Sequence, residues 1–198
     1  MAKTRPPNKP GIIKDLKMIK KAMDARNIPF VLMYGLCLGY VRHRDVMEWD
    51  TDIDIGVFVE LTEKQKQGMY KSLNTMAGYG QVAPCGDFIY GKKSVPLNLW
   101  LYHRTENYYK AWPTTSFSIV DGKKAPFNFV LKAKWFDKPI AVDFLGDKYF
   151  IPNNVFDYLT CHYGPWKKEI IKSHPKWLQV AAKRKVEWPM HEYQGEEK

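Results

Sequence analysis

Apolar residues near the start of the chain recur at intervals of three and four, which is typical of an amphipathic helix. The pattern is carried by Ile12, Ile13, Leu16, Ile19 and Met23. Lysines occupy most of the positions between them, so the sequence predicts a helix from Gly11 to about Arg26. The basic, proline-rich residues 1–10 are expected to form a flexible arm.

The next hundred residues predict short strands alternating with helices. A run of four apolar residues, Phe30-Val31-Leu32-Met33, predicts a buried strand. Gly35 to Gly39 then predicts a tight turn leading into a short helix. Residues 52–59 alternate between apolar and other side chains and predict a strand. Thr62 is a plausible N-cap for a helix that reaches about Met76.

The second half of the chain is richer in strand patterns. Strands are predicted at 81–84, 87–90, 95–102, 127–136 and 140–144. Residues 104–125 are polar and aromatic with little periodicity, so we expect a long loop or insertion there. A helix is predicted over 155–163, and one or two more over 164–186. Together these elements predict an α+β fold, with a mixed β-sheet and flanking helices.

Composition restricts the classes of protein that remain possible. A chain of 198 residues with 45% hydrophobic residues is long enough for one well-packed domain. No apolar run approaches the roughly 20 residues of a membrane span, and no apolar segment follows the basic start, so we expect no membrane span and a cytoplasmic protein. Cys37, Cys85 and Cys161 form no CxxC pair, which argues against zinc-ribbon and redox sites.

The formal net charge of +10 favours anionic partners. Basic residues are spread along the chain, and no RNA-binding motif accompanies them, so phosphorylated small molecules are favoured and RNA is a weaker alternative.

The strongest sign of chemistry is Asp52-Ile53-Asp54, preceded by Trp49 and Asp50. Residues two apart on a strand point to the same face, so the two carboxylates would lie side by side. Adjacent carboxylates repel each other, and a divalent cation relieves that repulsion. Magnesium commonly takes one or two carboxylates together with substrate phosphates. The sequence therefore predicts a Mg²⁺ (or Mn²⁺) site on Asp52 and Asp54, although two exposed acids on an edge strand would share the pattern.

A second sign of chemistry lies shortly before the acids. Glycines at 35 and 39 would let the backbone approach a phosphate, and the N-terminus of the following helix would attract an anion. Arg42, His43 and Arg44 follow, and Arg42 is the best candidate to reach a donor phosphate. A surface salt bridge is the alternative for Arg42.

These residues together resemble a known family. The segments Gly35-Leu36-Cys37-Leu38-Gly39-Tyr40-Val41-Arg42-His43 and Glu48-Trp49-Asp50-Thr51-Asp52-Ile53-Asp54-Ile55-Gly56-Val57 are similar to the signature of LicD-type proteins, which include bacterial phosphocholine transferases, fukutin and fukutin-related protein. Weaker similarity continues at 95–102, 150–154 and 162–166. The resemblance implies a nucleotidyltransferase-like domain over 11–166, followed by a C-terminal helical extension and tail over 167–198.

The resemblance also implies roles for individual residues. Asp52 and Asp54 would bind the metal, and Asp50 would support them as a third catalytic carboxylate. Gly35, Leu38 and Gly39 would frame the nucleotide phosphates, and Arg42 and Asn98 complete the set that would bind the nucleotide-linked donor.

The sequence departs from the family pattern at one position. The family usually has a third acidic residue on a later strand, and Asn98 aligns there. An amide can bind a metal through its carbonyl oxygen, but it is a weaker ligand and a poor base. Asp143 is the other candidate for a third acid, and Asp50 or Asp143 could be the base.

The resemblance implies a metal-dependent transferase. It would move a phosphorylated small group, such as phosphocholine or a polyol phosphate, from a CDP-type donor to a glycan-type or other hydroxyl acceptor. Two alternatives remain open: a nucleotidyltransferase that uses an NTP to add NMP to a small molecule, protein or RNA end, and a degenerate binding module on the same fold.

Overall fold

The computed structural model describes residues 7–79, 81–85, 87–111, 117–120, 123–164, 166–167 and 191–193. Helix α1 spans Lys9–Asp24 and begins two residues before the predicted start. Asn8 determines this earlier start, because its side-chain oxygen accepts a hydrogen bond of 3.1 Å from the backbone N–H of Gly11. The apolar stripe of α1 faces the core as predicted.

The central sheet contains seven described strands: β1 (Val31–Leu32), β2 (Ile53–Val57), β3 (Gln81–Cys85), β4 (Phe88–Lys92), β5 (Leu97–Leu101), β10 (Ile140–Phe144) and β11 (Asp147–Ile151). Their order in the sheet is β10-β11-β1-β2-β5-β4-β3. Strand β2 pairs in parallel with β5 and antiparallel with β1, so the sheet is mixed as predicted. Strand β11 was not predicted.

A second sheet occupies much of residues 104–125, so the loop predicted there was wrong and the alternative, an insertion, is what the structure shows. Its strands are β6 (His103–Arg104), β7 (Tyr108–Ala111), β9 (Lys123–Lys132) and β12 (His191–Tyr193), in the order β12-β9-β7-β6, and β8 (Phe117–Val120) also pairs with β9. Strand β9 ends in a short 3₁₀ helix, Ala133–Trp135. The helices predicted over 164–186 lie almost entirely outside the described residues.

Three more helices complete the described fold. Helix α2 spans Tyr34–His43, α3 spans Glu63–Thr75 and α4 spans Val155–Tyr163. Helix α2 contacts β2, α3 contacts β3 and α1, and α4 contacts α2. Thr62 caps α3 as predicted: its hydroxyl accepts from Gln65 N–H, and the Gln65 side chain accepts from Thr62 N–H. Among the described helices none is long and apolar enough to cross a membrane.

The core positions the strand that carries the acids. Ile53, Ile55 and Val57 of β2 are completely buried, as are Leu97 and Leu99 of β5. Because side chains alternate along a strand, Asp54 and Asn98 project from the opposite face. These two residues are paired in the parallel register of β2 and β5. The fold therefore places a carboxylate and an amide side by side.

Candidate active site

Asp52, Asp54 and Asn98 converge at the beginning of β2. The Nδ2 amide of Asn98 donates to Asp52 Oδ2 at 3.1 Å and to Asp54 Oδ1 at 3.0 Å. One nitrogen atom thus bridges both carboxylates. The structure brings together the two acids predicted to bind metal and the asparagine aligned with the third acid.

Burial and mutual repulsion make these acids hard to ionise together. Burial, followed by the charge of Asp52, raises the pKa of Asp54 well above its usual range, and the hydrogen bond from Asn98 partly offsets this. Burial and the charge of Asp52 also raise the pKa of Asp50 to about 7. The site therefore concentrates negative charge in a place where water does not screen it well.

Asp50 packs directly against the start of α2. A Cβ atom at position 35 would lie 3.1 Å from each carboxylate oxygen of Asp50, so glycine leaves room for that carboxylate. Asp50 Oδ2 is buried and has no hydrogen-bond partner among the described residues. A buried acceptor without a partner is costly in a folded protein, and it suits a group that takes up a proton from a ligand.

The other two residues predicted to frame the nucleotide phosphates, Leu38 and Gly39, are buried in the structure. Gly39 lies inside α2, and a Cβ there would lie 2.5 Å from the carbonyl oxygen of Asp45. Leu38 is only 4% exposed and belongs to the core. Both residues are packed against protein atoms here, and their predicted contacts with donor phosphates stay a prediction. Gly39 lets the segment that leads to Asp50 pack against α2.

Helix α2 begins abruptly rather than after the predicted glycine turn. Tyr34, its first residue, has a φ of +42°, which is unusual for a residue with a side chain. Its N–H donates to the hydroxyl of Tyr158 at 3.0 Å. The following N–H groups, of Gly35 and Leu36, belong to the first turn and have no acceptor within the helix. The N-terminus of α2 therefore lies beside Asp50 with amides that can face an anion.

Arg42 lies at the other end of α2, about 10 Å from Gly35 along the helix axis. Its guanidinium donates to the carbonyl oxygen of Trp166, with a distance of 2.8 Å from Nε. Arg42 and Trp166 also line a surface cavity of about 550 Å³, together with Phe156 and Lys167. In this arrangement Arg42 fixes the chain after α4, and its predicted contact with a donor phosphate stays a prediction.

Asp143 is excluded as the third acid. It lies exposed on β10 and forms an ion pair of 2.7 Å with Lys148. Strands β11 and β1 separate β10 from β2, which corresponds to about 14 Å across the sheet. Asp143 is therefore neither a ligand of the Asp52–Asp54 pair nor its base.

Sequence reasoning missed a group of aromatic side chains beside the acids. Tyr163 is 36% exposed overall, but desolvation of its hydroxyl, together with the negative charges of Asp54 and Asp50, raises its pKa. The rings of Tyr34 and His162 meet edge to face with centroids 5.2 Å apart. Tyr163 lies in the segment 162–166 that resembles the family, and this similarity is the one signal in the sequence that points to it.

His162 gives a testable pH dependence of stability. Its Nδ1–H donates to the carbonyl oxygen of Tyr158 at 2.8 Å, and its buried Nε2 has no partner in the part of the chain that the structure describes. Burial lowers its pKa from 6.5 to about 4. The unfolded chain therefore takes up a proton near pH 6.5 that the folded chain resists, so stability is lost as the pH falls.

We expect the pH-dependent contribution of His162 to folding stability to fall by about 2 kcal/mol between pH 7 and pH 5. Urea unfolding of the wild-type chain and of His162→Gln at several pH values measures it as the difference between the two curves. Parallel curves over this interval would contradict the assignment.

The oxygen atoms of Asp52, Asp54 and Asn98 are ligands of the kind that a hard divalent cation prefers. Two carboxylate oxygens converge on one point, and an amide with a carbonyl oxygen stands beside them. Within the described ranges no group of three or more His, Cys, Asp or Glu side chains is arranged to hold a metal ion. Two carboxylates leave coordination positions for water and phosphate oxygens, as Mg²⁺ requires.

Comparison with known proteins identifies the family. The model of the LicD/FKTN/FKRP nucleotidyltransferase domain matches residues 27–154. Ribitol-5-phosphate transferase FKTN from Mus musculus is 23% identical over 190 residues, covering 90% of this chain and 38% of that relative. The Macaca fascicularis protein of the same name is 22% identical over 157 residues, covering 77% of this chain and 32% of its own length.

The chain thus spans about a third of the length of the curated relatives it matches. A solved structure of ANT(2″)-Ia in complex with adenylyl-2″-tobramycin matches with a TM-score of 0.37 and 14% identity, covering 57% of this chain and 66% of the other. The family match covers the strand with the two acids, the helix before it and Asn98. The family predicted from the sequence is confirmed: the chain belongs to the LicD/FKTN/FKRP family of transferases, through its nucleotidyltransferase domain.

Proposed function

We propose that this chain transfers a phosphorylated small group from a CDP-type donor to a hydroxyl group of a glycan-type acceptor. The name ribitol-5-phosphate transferase, carried by the curated relatives, favours a polyol phosphate over phosphocholine as the transferred group. The observation that supports the proposal most directly is the convergence of Asp52 and Asp54 on Asn98.

Asp52 and Asp54 would hold Mg²⁺ or Mn²⁺. A cation held there would supply Lewis-acid polarisation of the donor diphosphate and would neutralise the charge that develops on it. The N–H groups at the start of α2 would orient the diphosphate, because they lie beside the carboxylate of Asp50, two residues before Asp52, and point out of the helix. Tyr163 would help to exclude water from this side of the site.

Asp50 is the candidate base. Its pKa of about 7 allows it to be ionised near neutral pH and still accept a proton. The acceptor oxygen would form a bond to the phosphorus that carries the polyol. The bond from that phosphorus to the oxygen of CMP would break, and the acceptor proton would pass to Asp50 Oδ2.

The test is a product assay on the purified chain with Mg²⁺. We expect release of CMP from a CDP-polyol such as CDP-ribitol, dependent on an acceptor, together with an increase in melting temperature when donor and metal are added. Release of pyrophosphate from CTP, with no turnover of the CDP-polyol, would instead support nucleotidyl transfer. No stabilisation by any CDP-linked ligand or NTP in the presence of Mg²⁺ would contradict the transferase proposal.

A further inference from the structure

The bridging amide of Asn98 is fixed by its surroundings. Leu97 and Leu99, on either side of Asn98, are completely buried, which anchors β5 in the core. The register pairs Asn98 with Asp54 across parallel strands. The amide therefore cannot move away from the carboxylates without disturbing the sheet, although it can turn about its own Cβ–Cγ bond.

We propose that Asn98 is a neutral brace that holds Asp52 and Asp54 together without a cation, and that it turns its carbonyl oxygen toward the carboxylates when a divalent cation binds. This inference rests on the proposed function, because it assigns a cation to the same pair of acids. In the arrangement described, Nδ2 donates to both carboxylates. An N–H group repels a cation, whereas the other end of the same amide is an oxygen ligand.

The brace has a consequence for the charge of the site. With asparagine at position 98, the metal-binding group carries two carboxylates, and their repulsion is reduced by a shared hydrogen-bond donor. A third carboxylate at the same position would lie about 3 Å from both acids and would lack any N–H to offer them. Like charges this close in a partly buried site are strongly unfavourable unless a cation is present.

The chain should therefore keep its site intact without metal and bind the metal reversibly and weakly. A carboxylate at position 98 would reverse both properties: the metal-free protein would lose stability, and the affinity for metal would rise. Replacement of an exposed asparagine by aspartate should change neither the stability of the metal-free protein nor its affinity for metal. This control separates the effect of position 98 from the change in net charge.

The experiment compares the full chain with Asn98→Asp, Asn98→Ala and the control Asn107→Asp, whose side chain is exposed. Melting temperatures are measured in EDTA and in MgCl₂, and Mn²⁺ binding is followed by electron paramagnetic resonance. For Asn98→Asp we expect a loss of roughly 5 °C in EDTA, its recovery in Mg²⁺, and binding of Mn²⁺ about tenfold tighter than in the wild type. Asn107→Asp should match the wild type in both respects.

The proposal is overturned if Asn98→Asp is as stable in EDTA as Asn107→Asp, or if it binds Mn²⁺ no more tightly than the wild type. If Asn98→Asp fails in either way but the wild type still binds metal, the brace is wrong and the proposed function is not contradicted. If neither protein binds metal, the metal assignment fails along with the brace.

Asn98→Ala provides a second test if Asn98→Asp does not fold. Its loss of stability in EDTA should largely disappear when Asp52→Asn is also present, because one of the repelling charges is then absent. An equal loss in both backgrounds would overturn the brace.

Discussion

Asp54→Asn is expected to lower the rate of phosphate-group transfer by about three orders of magnitude or more. Asp54 is one of two carboxylates that would hold the cation, and the amide oxygen that replaces it is neutral. Loss of a group that stabilises charge in the transition state by several kcal/mol corresponds to a decrease of this size. The measurement is CMP release from a CDP-polyol donor at saturating Mg²⁺.

The same substitution should make the metal-free protein more stable at pH 8. Burial and the charge of Asp52 raise the pKa of Asp54 from 3.8 to about 7, so the folded chain releases this proton at a much higher pH than the unfolded chain does, and by pH 8 the full cost is present. Ionisation of this group therefore costs folding stability as the pH rises, and asparagine removes that cost. A protein that is more stable and inactive would show that the loss of activity does not come from unfolding.

Asp143→Asn is the matched control, because it removes a carboxylate that lies exposed on β10 and contacts Lys148. We expect its activity and stability to stay close to those of the wild type. Transfer by Asp54→Asn at more than a tenth of the wild-type rate would show that Asp54 is not part of the metal site.

Gly39→Ala is expected to destabilise the fold by about 3 kcal/mol, even though alanine is the better helix former. The new methyl group would lie 2.5 Å from the carbonyl oxygen of Asp45 and 3.3 Å from the backbone nitrogen of Met47. These are backbone atoms that a side-chain rotation cannot move, so α2 and the segment before Asp50 would have to separate. Urea unfolding measures the change.

Gly68→Ala in α3 is the control for Gly39→Ala. Its methyl group would lie 3.5 Å from the nearest atom, Nη1 of Arg26, which is an ordinary contact. Since only helix propensity then changes, we expect an increase in stability of roughly 0.5 to 1 kcal/mol. A stabilised Gly39→Ala would mean that the segment from Asp45 to Met47 does not pack against α2 as described.

The acids of the site could be predicted because their pattern is local. Alternation over 52–59 indicated a strand with its carboxylates on one face, and the structure has that strand at Ile53–Val57. Asn98 could be aligned with the site because the family spacing extends to β5. The hydrogen bonds from its amide to Asp52 and Asp54 could not be predicted, because the register of β2 with β5 depends on the packing of the whole sheet.

Other features escaped prediction because they depend on distant parts of the chain. The spacing of Gly35 and Gly39 predicts a tight turn leading into a helix, yet both residues lie within α2. Contacts with Asp50 and Asp45 explain these glycines, and nothing in their local pattern shows those contacts. The strands within 104–125 are similar: they lack clear alternation, and their pairing with β9 holds them in place.

The contacts that fix α2 also constrain the order of folding. The N–H of Tyr34 donates a hydrogen bond to the Tyr158 hydroxyl, and the guanidinium of Arg42 donates one to the Trp166 carbonyl oxygen. Each hydrogen bond spans 124 residues of sequence. Closing loops of this length is slow compared with forming a hairpin, so contacts of high sequence separation tend to form late. During synthesis the helix beside the acids would remain without these partners until residues 158 to 166 have left the ribosome. The three-dimensional site would therefore be completed only after most of the described chain has been made.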